Sequence, residues 1–268
     1  EDIVWLCTDS GVDKITDRTI RQYGVADGME SELIWAVHRW HGRVLVGTEA
    51  GLLSLRADGV ERDTLLPDRI VTEIVPAGSD ALWLGTDHGI YRLQGRRVQA
   101  ALNRPEPANL FVYCLQPLPD GSLLMASDRG LYCGRPPELA TVETPAALRS
   151  HACFDLLLFG ADRCWVGTDY GVFEARREND RWRYMPQPIL GDVNVTCFAR
   201  RADDDIYIGT VGRGIYRWDG RRFAPLGAAL PDANANVWAL QHDRHGQLWA
   251  GTSRGIARLA GPASKRCI

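Results

Sequence analysis

The chain has 268 residues, 45% of them hydrophobic, with 31 Lys and Arg against 34 Asp and Glu and a net charge of -3. That is ample apolar material for a core, and the near balance of charge argues against nucleic acid as a partner. No apolar run approaches the length of a membrane-spanning helix.

One phrase returns seven times in chain order: VWLCTDSGV (4–12), VLVGTEAGL (44–52), LWLGTDHGI (82–90), LLMASDRGL (123–131), CWVGTDYGV (164–172), IYIGTVGRGI (206–215) and LWAGTSRGI (248–256). Its hydroxyl anchors are Thr8, Thr48, Thr86, Ser127, Thr168, Thr210 and Thr252, spaced 40, 38, 41, 41, 42 and 42 residues apart. A period near forty built of short apolar strands predicts a propeller, because one such unit cannot bury both faces alone and must stack on neighbours.

Within each copy the apolar run before the hydroxyl predicts strand B, and the run after the glycine predicts strand C. The T-x-x-G segment between them is a tight turn whose Gly needs a positive φ. Strand A precedes B across a polar turn, as in NVWALQ (236–241), HDRHG and QLWAGT (247–252). Polar runs such as RRVQAAL (96–102) and RRFAPL (221–226) supply a fourth strand, D. The B runs are apolar on consecutive residues, which predicts sheets covered on both faces. Trp5, Trp83, Trp165, Tyr207 and Trp249 share one place in strand B and read as packing wedges between blades. Gly47, Gly85, Gly167, Gly209 and Gly251, just before the hydroxyl, mark where a neighbouring blade comes too close for a side chain.

The expected architecture is therefore all-β: a seven-bladed propeller of four-stranded antiparallel blades forming one domain over 1–268. Strand A of the first copy is missing and AGPASKRCI (260–268) follows strand C of the last, so the seam between first and last blades is expected to be incomplete. Excision from a longer chain is the favoured explanation, because a closed ring protects its sheet edges.

Most chemical motifs dissolve on the repeat. GTSRG (251–255) fits a serine-hydrolase elbow, but that elbow needs a strand-to-helix turn and this segment is a hairpin, so Ser253 is not expected to be a nucleophile. The pairs His38/His41 and His242/His245 fall in A-to-B turns without a third ligand, and no metal or cofactor is expected. Five of the seven cysteines, Cys7, Cys114, Cys153, Cys164 and Cys197, stand where other copies carry small or aliphatic residues and read as buried hydrophobes. Cys133 reads as partly exposed, and a Cys7 to Cys267 bridge is conceivable at the seam.

The repeats resemble the two-component-regulator propeller family, in which a polar turn is followed by G-x-L-W-x-G-T-x-x-G and apolar residues. HGQLWAGTSRGIARL (245–259) matches almost throughout and DALWLGTDHGIYRL (80–93) nearly so, with GVADGMESELIWAV (24–37) and LPDANANVWAL (230–240) as lead-ins to strand A. Copy four departs from the pattern at Ala126-Ser127, and copy six has an extra turn residue. The resemblance implies a bacterial, usually periplasmic, sensor ectodomain tethered to a membrane signalling protein.

Function is then expected on the face carrying the B-to-C turns and D-to-A loops. The residues after each hydroxyl form a circle that includes Asp9, Glu49, Asp87, Asp128 and Asp169, and a bond to its own turn is explanation enough for an Asp there. His88, Arg129, Tyr170, Arg213 and Arg254 are less easily explained by turn chemistry and form the expected ligand-binding set, with Trp35, Tyr113 and Trp238 as aromatic contributors. The expected occupant is a small polar ligand, a carbohydrate among the options, or a protein partner. A non-catalytic sensor is the leading reading; a protein-interaction scaffold or a lyase- or lactonase-type propeller enzyme are the alternatives.

Overall fold

A computed structural model describes residues 3–8, 11–16, 19–56, 59–61, 66, 68–102, 110–144, 151–226, 230 and 232–259. Asp9, Ser10, Cys267 and the segment 260–268 lie outside the described residues.

Each motif copy folds as strands B and C of an antiparallel sheet. The first sheet holds β1 (Val4–Thr8), β2 (Gly11–Ile15) and β3 (Ile20–Tyr23), and the second β4 (Ile34–Trp40), β5 (Arg43–Thr48), β6 (Gly51–Arg56) and β7 (Gly59–Glu61). The third holds β8 (Val71–Pro76), β9 (Ala81–Thr86), β10 (Gly89–Gln94) and β11 (Arg97–Ala100). In the fourth are β12 (Val112–Pro117), β13 (Leu123–Ser127), β14 (Gly130–Arg135) and β15 (Glu138–Thr141). The fifth comprises β16 (Cys153–Phe159), β17 (Arg163–Thr168), β18 (Gly171–Glu178) and β19 (Arg181–Gly191). The sixth has β20 (Val195–Ala202), β21 (Asp205–Thr210), β22 (Ile215–Trp218) and β23 (Phe223–Pro225), and the last β24 (Val237–His242), β25 (Leu248–Thr252) and β26 (Gly255–Leu259).

Each sheet is a meander, and the A strands β4, β8, β12, β16, β20 and β24 pack successively around the axis. This corrects the expected ring of seven four-stranded blades. Counted by the inner strands among the described residues there are six blades, five of four strands and the last of three. Among the described residues the N-terminal sheet comprises B, C and D, and its β1 packs between β24 and β4. The physical reason is that the repeated phrase reports B-to-C hairpins, and a hairpin can join the ring without an inner strand of its own.

Between blades, the glycine before the hydroxyl is a contact point. A Cβ on Gly47 would stand 2.3 Å from the carbonyl oxygen of Val71, one on Gly85 3.0 Å from Val112 Cγ1, and one on Gly209 2.9 Å from Val237 Cγ1. In each case the first residue of the next blade's inner strand is an obstacle, joined at Gly209 by Cys197 Sγ of its own sheet at 2.5 Å, so the small residue sets how closely blades stack.

The strand B aromatics divide. Trp165 and Trp249 are buried, while Trp5, Trp83 and Tyr207 are partly exposed. Four of them face a cation in register on strand C: Lys14 over Trp5, Arg92 over Trp83, Arg217 over Tyr207 and Arg258 over Trp249, at 5.6–5.9 Å from the ring centroid. Trp165 instead pairs with Glu174 and packs on Phe159, Trp218 and Phe223.

Candidate functional site

The motif hydroxyl is a clamp. Thr48, Thr86, Ser127, Thr168, Thr210 and Thr252 each donate to the carbonyl of the turn glycine at 2.8–3.1 Å. In five of these turns the same oxygen accepts the N–H two residues on, from Ala50, His88, Arg129, Tyr170 and Arg254. With both bonds made inside a buried turn, the following residue is left to project from the rim. Gly89 (φ 88°) and Gly171 (φ 133°) hold the backbone conformation the turn demands. Ser253 sits in such a hairpin, its N–H bonded to the Asn236 carbonyl.

The acid after the hydroxyl bonds the incoming inner strand rather than its own turn. Asp128 N donates to the Phe111 carbonyl while its Oδ1 accepts from Phe111 N, both at 3.0 Å. Asp87 makes the same pair of bonds with Ile70 at 3.2 Å. Lead-in and turn are thereby fixed on one face.

Each expected binding residue stands on a different blade, so the five encircle the rim rather than converge. All have partners: His88 Nδ1 is 3.0 Å from Asp87, Arg129 3.8 Å from Asp128, Arg213 3.6 Å from Asp192 and Arg254 3.1 Å from Asp232. Tyr170 stacks on His151 at 5.2 Å, and His151 Nδ1 lies 2.7 Å from Asp169 Oδ1. The A-to-B turn histidines lie apart from the rim, with His41 3.3 Å from Asp80.

Inside the rim, every inner strand is bulged at its second residue, which falls between the paired positions Ile34/Ala36, Val71/Glu73, Val112/Cys114, Cys153/Asp155, Val195/Cys197 and Val237/Ala239. A bulge frees that residue from the ladder and re-aims its side chain. The six are Trp35, Thr72, Tyr113, Phe154, Thr196 and Trp238. Thr72 and Thr196 turn their hydroxyls onto the next blade's backbone, at the carbonyls of Val112 and Val237. The aromatics do not tuck away: Trp35 is 44% and Trp238 48% exposed. Trp35 reaches past the third sheet to Phe111, which meets Tyr113, which meets Phe154, with centroids 5.6, 4.7 and 4.9 Å apart.

One residue deeper come Ala36, Glu73, Cys114, Asp155, Cys197 and Ala239, and the two acids there escaped the sequence reading. Phe198 N and Leu156 N donate to Asp155 at 2.7 and 2.8 Å, and Ile74 N to Glu73 at 3.2 Å. Burial pushes Glu73 up to about 8, with the charge of Asp155 adding to the rise, although the two belong to blades two apart. Burial lifts Asp155 to about 6, opposed by its backbone donors. Both are partly exposed, as groups lining a narrow channel would be. A charged residue in a column otherwise of Ala and Cys was the available signal. Burial pushes the Cys7, Cys153 and Cys197 thiols up to about 12, which suits packing and not thiolate chemistry. Among the described residues no three His, Cys, Asp or Glu gather as a metal site.

The sequence profile of the two component regulator propeller family matches residues 231–254. No curated protein matches the chain by sequence. Among solved structures, the extracellular domain of the hybrid two component system BT4673 from B. thetaiotaomicron superposes with a TM-score of 0.78 at 19% identity, over 98% of this chain and 37% of that one. PorZ, a bacterial surface component of the type-IX secretion system of Porphyromonas gingivalis, gives 0.72 at 17% identity over 98% and 44%. Streptogramin B lyase gives 0.74 at 13% identity over 97% and 90%. These likenesses show the propeller fold, and the chain spans less than half the length of the first two. No helix among the described residues is long and apolar enough to cross a membrane.

Proposed function

We propose that this chain, whose residues 231–254 are a two component regulator propeller repeat, is the non-catalytic sensing domain of a membrane-tethered bacterial signalling protein, working in the periplasm. Its ligand is a small polar molecule taken on the face of the B-to-C turns. The observation that carries this reading is the contrast between clamp and cargo: the same hydroxyl pins each turn, while the residue it presents changes from His88 to Arg129 to Tyr170 to Arg254. Variable side chains on a rigid frame are how loops carry recognition. The binding set is His88, Arg129, Tyr170, Arg213 and Arg254, with Trp35, Tyr113 and Trp238 inside the rim.

The likeness to the BT4673 extracellular domain supports a signalling role, and the likeness to Streptogramin B lyase keeps an enzyme as the second reading. One observation favours that second reading: Asp169 Oδ1 lies 2.7 Å from His151 Nδ1, an acid and imidazole pair beside Tyr170. Ligand screening by thermal shift, followed by titration of Arg129→Ala and Tyr170→Ala, tests the proposal. Each change should weaken binding without lowering the melting temperature. Loss of affinity on His41→Ala or His245→Ala instead would place the site on the opposite face, and turnover lost on His151→Ala would make the protein an enzyme.

A further inference from the structure

The ligand of the channel mouth has a chemical class written into two independent sets of residues. The first is the arc Trp35, Phe111, Tyr113 and Phe154, with Trp238 on another inner strand, which leaves large rings uncovered at the rim. The second is the pair Glu73 and Asp155, one residue and hence ~3.3 Å deeper along the inner strands. The rim acids Asp87, Asp128, Asp169, Asp192 and Asp232 each have a histidine or arginine beside them. Among the described residues, neither Glu73 nor Asp155 pairs with a cation: Asp155 accepts from Leu156 N and Phe198 N and Glu73 from Ile74 N, and the titratable groups that feel the pair are each other and the thiols of Cys7, Cys114, Cys164 and Cys197.

We propose that the channel mouth binds a small organic cation, an amine or quaternary ammonium, walled by the aromatic rings and neutralised by Glu73 and Asp155. This rests on the small-ligand reading above and names the ligand's class. A neutral ligand would cover the rings and do nothing for the carboxyls, which without a counter-charge hold on to their protons. A hydrated metal ion would satisfy the carboxylates and waste the rings. An alkylammonium satisfies both, because its diffuse charge is attracted to aromatic faces as well as to carboxylates.

The test is titration of the protein with choline, putrescine and spermidine, and with 3,3-dimethylbutan-1-ol, the uncharged analogue of choline, read by calorimetry and tryptophan fluorescence. At least one amine should bind saturably, and choline about tenfold more tightly than its neutral analogue. Glu73→Gln with Asp155→Asn should remove that preference, and Trp35→Ala should weaken choline binding severalfold. Choline keeps its charge at every pH, so its affinity should rise from about pH 5 to about pH 9 as the two carboxyls ionise. Choline no tighter than the neutral analogue, an affinity flat with pH, or no amine binding below about 10 mM overturns the proposal. A parallel panel of neutral oligosaccharides separates the two levels of inference. Binding there that is lost in Trp35→Ala keeps the small-ligand reading and sinks the cation; silence in both panels sinks both.

Discussion

In the B-to-C hairpins the same hydroxyl makes the same bond in six successive turns, whereas at the bulge of the inner strands the residue changes from Trp35 to Thr72, Tyr113, Phe154, Thr196 and Trp238. Both regions belong to the same blades and lie within a few residues of one another. The hairpin must satisfy its own backbone inside a packed interface, so chemistry leaves it little choice. At the bulge the demands differ from blade to blade: Thr72 is buried and Thr72 and Thr196 bond the next blade, whereas Trp35 and Trp238 remain exposed. Repetition in this fold therefore marks what holds the blades, and where repetition stops, rings such as Trp35 and Trp238 stay exposed.

The comparison breaks most visibly if the frame is cut. Trp165→Ala removes a buried ring from among Phe159, Trp218 and Phe223, and should cost about 3–5 kcal/mol by denaturant unfolding. A loss below about 1 kcal/mol would mean that the wedge is not what joins these blades. Next comes the clamp itself. Thr86→Val keeps the shape but leaves the His88 N–H and Gly89 carbonyl without the hydroxyl, at a cost of about 1–3 kcal/mol. Ser127→Ala, in the copy that departs from Gly-Thr, should behave alike if the hydroxyl rather than the threonine methyl is what matters.

Those frame residues were legible in the sequence because they recur: the period gave the hairpins, and the turn glycines were assigned their positive φ. The ring was read less well. Counting motif copies counted hairpins, and among the described residues the N-terminal hairpin has no inner strand of its own, so the blades that line the axis are six. The acids after the hydroxyl were identified but assigned to their own turns, since nothing in a local window shows that Asp128 faces Phe111 across a blade. Glu73 and Asp155 went unnoticed for the opposite reason. They occur once each, in a column that the motif spacing already aligned with Cys114 and Cys197, where the cysteines were read as packing and the acids were passed over.

That column should respond to pH with a sign opposite to the usual carboxylate. A carboxyl whose pKa is higher in the folded state binds its proton better when folded, so its contribution to stability rises as pH falls from about 8 toward the ordinary value of 4.5 for Glu73. Above about pH 8 the ionised group is a burden on the fold. Glu73→Gln should therefore raise the melting temperature at pH 8 by roughly 2–4 °C, the shift that about 1 kcal/mol makes in a domain of this size. The advantage should shrink on acidification and vanish near pH 4. An advantage that stayed constant with pH would show that Glu73 is not the group being titrated.

The smallest expected effect is the most informative about the rim. Arg129→Ala and Tyr170→Ala remove side chains that project from a clamped turn, and the clamp is made entirely by Ser127, Thr168 and backbone groups. Arg129 gives up only a 3.8 Å approach to Asp128 across an exposed surface, and an exposed pair of that kind contributes under about 1 kcal/mol. Tyr170 is 43% exposed and gives up its stack on His151. Stability should therefore change by no more than about 0.5 kcal/mol in either variant, as is usual for surface positions. A larger loss for Tyr170→Ala would move it from the recognition surface to the frame, with His151 and Asp169 as the structure it supports. A loss confined to binding, with the unfolding curve unmoved, would place the functional surface where the repeat stops repeating.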